Sequence, residues 1–152
     1  MKKHNILVTG VGAIIGYGIV RALRDARPDV RITGMDMFHE AAGRRWCDDF
    51  TVTPPAASSE YPDFLMSLIK EKDITLVIPG IEQEVSRMNS FRGRLEEVAR
   101  VSLNTPELIA LSDDKWAQFE AVSAAGLPVI KSLQSQSYEE CADSLGMPFV
   151  AK

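Results

Sequence analysis

The chain has 152 residues, 45% of them hydrophobic and 25% charged, enough to bury one core, or one core and part of a second, without staples. Its net charge is −4 and it has no block of Lys and Arg, which argues against a nucleic acid or a membrane surface as partner. Two distant cysteines, Cys47 and Cys141, make no disulfide framework. No apolar stretch approaches the ~20 residues of a membrane span, and Gly10 and Gly12 break the N-terminal apolar run too early for a signal sequence, so a cytoplasmic protein is expected.

The first half alternates strand-like and helical patterns. Residues 5–10 form a continuous apolar run closed by glycine, and apolar residues at Ile15, Ile19, Val20 and Leu23 recur at helical spacing up to about Ala26. Further strands are expected at 30–36, 50–53, 74–80 and 100–104, with helices over 61–72 and from about Glu82 to Arg100. Strands alternating with helices imply βαβ units, hence a parallel α/β sheet with helices on both faces. Any ligand crevice then lies at the carboxyl ends of the strands, where Gly10–Gly12, Asp36 and Pro79–Glu84 fall. Beyond about Asn104 the pattern changes. Thr105 and Pro106 open a short helix, a second covers 113–125, and Ser137 with Glu140 forms a capping box for a third. Residues 128–132 and the closing Phe149–Lys152 read as strands.

Three places could carry chemistry. Glycines at 10, 12, 16 and 18 bridge the first strand and helix, where backbone N–H groups and a helix N-terminus favour an anion. The spacing misses the dinucleotide fingerprint by one residue: Ile15 stands where the third glycine belongs, although Asp36 sits where a ribose-binding acid would. A tight turn or a loop serving another ligand fits as well. Glu82 and Glu84 lie near the crevice and could hold a cation or an amine, but acids also favour the first turn of a helix without any function. Lys115, in the first turn of its helix, runs against the dipole preference and is a candidate anion ligand. Cys47 lies near cations in the run "RRWCDD" but is better read as structural, and Arg44 and Arg45 as a solvated loop.

In order, "ILVTGVGAIIGYGIVRAL", "GMD", "CDDFTVTPPA", "ITLVIPGIEQE", "SDDKWAQFEAVSAAGLPV" and "MPFVAK" resemble the start of an ATP-grasp ligase, most of all a carbamoyl-phosphate-synthase-like one. The resemblance spans the whole chain. It implies a Rossmann-like preATP-grasp domain over residues 1–111 and, over 112–152, the beginning of the ATP-binding module as an incomplete α+β subdomain. It implies ATP and Mg²⁺ as cofactors of a parent enzyme that joins a carboxylate to an amine through an acylphosphate. Lys115 and Lys152 would contact ATP phosphates, and Gly10, Gly12 and Glu82 would face the small-molecule substrate. A homodimeric parent is compatible with the resemblance. The glycine-rich flap and the Mg²⁺-holding acids of the family are expected after Lys152. The chain alone is therefore expected to be a truncated piece, inactive and holding neither cofactor stably. Two other readings stay open: a NAD(P)-binding domain of an oxidoreductase or epimerase, carried by the glycines and Asp36, and a non-catalytic binding module.

Overall fold

The structure, a computed structural model, describes residues 4–135 and 137–151. It divides after Pro106 into two compact units. The first is a five-stranded sheet in the order β3-β2-β1-β4-β5, every neighbouring pair parallel. The strands are β1 (Asn5–Thr9), β2 (Arg31–Asp36), β3 (Asp49–Val52), β4 (Leu76–Ile78) and β5 (Arg100–Val101). The chain leaves β1 toward β2 on one side and returns to β4 on the other, so the sheet reverses direction between β1 and β4, where α/β folds open a crevice.

Alternation along β1 supplies both faces of the core. Leu7, fully buried, points to one face with Val77 and the helices α2 (Tyr61–Glu71), α3 (Glu82–Ser90) and α4 (Arg92–Glu96). Ile6 and Val8 point to the other, with Val20 of α1 (Ile14–Ala26) and the 3₁₀ turn Ala42–Trp46. The polar helix expected over 82–100 is broken at Phe91, whose φ of −131° and ψ of 27° leave the helical region. The segment of Arg44 and Arg45 is not an open loop but that 3₁₀ turn, held by Gly43 N–H donating to Val11 O at 3.0 Å.

The second unit holds α5 (Pro106–Asp113) from its second residue on, α6 (Lys115–Ala124) and α7 (Tyr138–Leu145). Asp114 caps α6 by accepting from the N–H groups of Trp116 and Ala117, and the Ser137 hydroxyl accepts from Glu140 N–H. Only half of the capping box forms, because the Glu140 carboxylate takes the Ser135 hydroxyl instead. The strands expected at 128–132 and from Phe149 are not formed among the described residues: neither segment pairs with a neighbour, and an extended run without a ladder is not a strand. The described residues of this unit thus hold three helices joined by irregular segments, where an α+β subdomain was expected, and Lys152 lies outside them.

Candidate functional site

Three strand ends build the site. After β1, Gly10 turns with a φ of +58°, in the left-handed region, and Ala13 N–H closes the turn onto Gly10 O at 2.9 Å. Gly16 lets α1 lie directly on that turn: a Cβ there would fall 2.2 Å from Gly10 O. After β4, Gly80 is equally tight, a Cβ meeting Thr9 O at 2.3 Å and the Gly16 Cα at 2.7 Å. Thus Gly16 performs the close helix–strand packing that the dinucleotide fingerprint assigns to a glycine one residue earlier.

Above this junction lies a cavity of about 600 Å³, within the range of small-molecule sites, lined by Gly10, Gly12, Ala13, Asp36 and the residues after β2, and by Ile81 and Glu84 of the β4–α3 connection. Of the residues expected to face a substrate, Gly10 and Gly12 line it. Glu82 is exposed at the start of α3 and is not among the lining residues; Glu84, two positions on, is the acid that turns inward.

Glu84 is 2% exposed and its carboxylate is held on both oxygens. Oε2 accepts the Thr9 hydroxyl, and Oε1 accepts the Tyr61 hydroxyl at 3.1 Å. Thr9 Oγ1 in turn accepts Gly80 N–H at 3.3 Å, which ties the network to the β4 exit. Burial pushes the Glu84 carboxyl above its ordinary range and the nearby Asp36 charge adds to that, while the hydroxyl bonds from Thr9 and Tyr61 pull the other way. The Tyr61 phenol is pushed up by burial and by the neighbouring Glu84. Thr9 and Tyr61 escaped sequence reasoning. Thr9 could have been found as the last residue of β1, at the sheet edge where ligands bind. Tyr61 carries no local signal, because only folding brings it to Glu84.

Asp36, 7% exposed, sits where a ribose-binding acid would, but its oxygens are engaged by the backbone. Oδ2 accepts Gly12 N–H at 2.7 Å and Oδ1 accepts Phe38 N–H at 3.0 Å. Cys47 is half-buried, its thiol donating to Gly43 O at 3.4 Å; burial pushes it up to about 11 despite Arg24, as befits a structural cysteine. Lys115, in the second unit, is exposed, and its ammonium donates to Ser112 O at 3.0 Å near the C-terminal end of α5. That contact explains a lysine in the first turn of α6: it serves the preceding helix's carbonyl end. Among the described residues no three His, Cys, Asp or Glu side chains converge as a metal-ligand set, and no helix is long and apolar enough to cross a membrane.

Comparison with known proteins places this geometry. No curated protein matches the sequence significantly. Among solved structures, N5-carboxyaminoimidazole synthetase from Staphylococcus aureus complexed with ADP superposes with a TM-score of 0.69 at 15% identity, over 97% of this chain and 38% of that one. The biotin carboxylase domain dimer of Hydrogenobacter thermophilus 2-oxoglutarate carboxylase, in complex with MgADP, ADP and bicarbonate, gives 0.63 at 17% identity, over 95% and 33%. Both are ATP-grasp ligases, and the chain spans about a third of their length. dTDP-glucose 4,6-dehydratase from Bacillus anthracis in complex with NAD gives 0.51 at 15% identity, over 83% and 52%. At these identities the likeness establishes the fold, a Rossmann-like sheet shared with the N-terminal domains of ATP-grasp ligases. The sequence itself matches the PylC-like N-terminal domain over residues 6–103, which contains every residue of the cavity, and the chain belongs to that family.

Proposed function

We propose that this chain is the N-terminal part of an ATP-dependent carboxylate–amine ligase, working in the cytoplasm, and that the cavity at the ends of β1, β2 and β4 receives one of its small-molecule substrates. The observation that carries this reading is the cavity over Gly10, Gly12 and Glu84 at the reversal point of the sheet, in a fold shared with ligases whose structures hold ADP. In such a reaction ATP and Mg²⁺ would supply phosphoryl transfer to the carboxylate, giving an acylphosphate that the amine attacks.

The residues of this chain act before and around that step. The glycine turn lets a substrate approach the backbone, Glu84 presents a fixed acceptor, and the apolar walls at Met37, Phe38 and Ile81 shed water from the bound molecule. Among the described residues no three His, Cys, Asp or Glu side chains converge to hold Mg²⁺. Lys115, and Lys152 beyond the described residues, stand in this reading as phosphate contacts. For Lys115 that requires releasing Ser112 O. The carbamoyl-phosphate-synthase-like subclass is one version of the proposal among other ATP-grasp ligases.

The test is acylphosphate trapping with the longer enzyme. Incubation with ATP, Mg²⁺, hydroxylamine and a panel of carboxylates should release ADP in step with a hydroxamate for at least one acid. ADP release with no acid in the panel would sink the proposal. The NAD-binding reading is favoured by Asp36 and the glycines, but Asp36 already holds two backbone donors. Calorimetric titration with NAD⁺ or NADP⁺ should show no binding; micromolar affinity would reverse the order of the two readings.

A further inference from the structure

A glycine loop leading into a helix ordinarily offers its N–H groups to phosphate. Here that offer is taken up internally. The Gly12 N–H is held by Asp36 Oδ2, and a Cβ on Gly12 would fall 2.9 Å from the same oxygen, so the carboxylate lies against the loop itself. On the other side, a Cβ on Gly10 would fall 3.5 Å from Glu84 Oε2. The two loop glycines are each flanked by a buried carboxylate. Glu40 is a third acid on the cavity wall, and no Lys, Arg or His is among the lining residues. The remaining wall is apolar: Met37, Phe38, Ile81 and three alanines. The charge of Asp36 adds to the proton affinity of Glu84, and a cation beside the two would relieve that repulsion.

Resting on the ligase reading, we propose that the cavity takes the amine partner of the reaction: an alkylammonium group seated between Asp36 and Glu84, with its carbon chain against Met37, Phe38 and Ile81, and that the glycine loop is closed to phosphate. A phosphate entering the loop would have to displace Asp36 from Gly12 and Phe38 and meet two carboxylates without a countercharge. An ammonium meets acceptors already fixed in place: Glu84 is held by Thr9 and Tyr61, and Asp36 by two backbone N–H groups. Tyr61 and Thr9 are accordingly positioning residues, which orient Glu84.

The experiment titrates the isotopically labelled chain with n-butylammonium, n-butanol and inorganic phosphate, following backbone amides by NMR. Butylammonium should shift Gly10, Gly12 and Ala41 saturably, while butanol and phosphate should leave Gly10 and Gly12 in place. Glu84→Gln should weaken butylammonium at least tenfold, and the exposed Glu40→Gln only two- to threefold. Phosphate shifts at Gly10 and Gly12, or butanol matching butylammonium, would overturn the proposal. So would a folded Glu84→Gln chain that binds butylammonium as the native chain does. If that variant does not fold, the three-probe comparison on the native chain decides. Hydroxamate formation by the longer enzyme alongside failure here would refute the amine site and leave the ligase reading standing.

Discussion

The two units of this chain are written in the same patterns but differ in what those patterns bury. In the first, helices and strands enclose two apolar clusters with Leu7, Val8, Val20, Ile32, Leu65 and Val77 fully or almost fully buried. In the second, α6 and α7 have no buried residue, and Leu127, Ile130, Met147 and Val150 are exposed, Ile130 at 88%. The caps of α6 and α7 are in place, so local signals alone are satisfied there. A helix start can be encoded in four residues, whereas a core needs elements far apart in sequence. Cavity and core both belong to the first unit because the same sheet makes them.

The largest expected effect breaks this contrast directly. Leu65→Ala should lose about 2–5 kcal/mol in chemical denaturation, by lost transfer energy and a cavity, whereas Ile130→Ala should stay within about 0.5 kcal/mol. Equal losses would mean that the second unit has a core of its own. Next come the glycines of α1. Gly16→Ala drives a methyl into the Gly10 carbonyl and should lose about 1–3 kcal/mol or more; Gly18→Ala, two residues on with open space around it, should gain about 0.5–1 kcal/mol from helix propensity. Ser137→Ala should weaken α7 by about 1 kcal/mol, read as faster amide exchange of Glu140 without any change in β1 or β4.

The finest contrast concerns pH. Glu84 has its carboxyl raised in the folded chain, so protonation favours folding. Stability from this group is fully present below its ordinary value of 4.5 and is lost as pH rises through the raised value. The thermal midpoint of the native chain, relative to Glu84→Gln, should therefore rise as pH falls from neutral toward 4.5. Asp48 behaves oppositely. Burial pushes its carboxyl up, but hydrogen bonds from Ile32 N–H and Arg24 outweigh that and hold it below 3.8. Its contribution is present above 3.8 and fades below.

How far sequence reasoning reached follows the same division. The apolar run of β1, the glycines and the periodicity of α1 placed the start of the sheet with almost no error, since each signal is local and nothing competes with it. The break at Phe91 was missed because helical pattern continues across it, and only the turn into α4 shows it. The strand patterns after Gly126 were legible as patterns, yet a strand is a property of two segments, and no second segment pairs with either among the described residues. At the site, Gly10, Gly12 and Asp36 stood out by type and spacing. The inward turn of Glu84 did not, since Glu82 and Glu84 differ only in which side of α3 they occupy.

The back-to-back glycines at 16 and 80 bear on anyone wishing to change what this pocket accepts. Behind the lining residue Gly10, backbone packs on backbone: any side chain at Gly16 or Gly80 collides with a carbonyl, and Gly12 is already in contact with Asp36. Redesign must therefore work from the walls. Ala13, Ala41 and Ala42 border the cavity with one methyl group each, and Met37 and Phe38 are partly exposed at its edge. A library confined to these five positions can reshape the volume while the strand ends that fix Glu84 stay untouched.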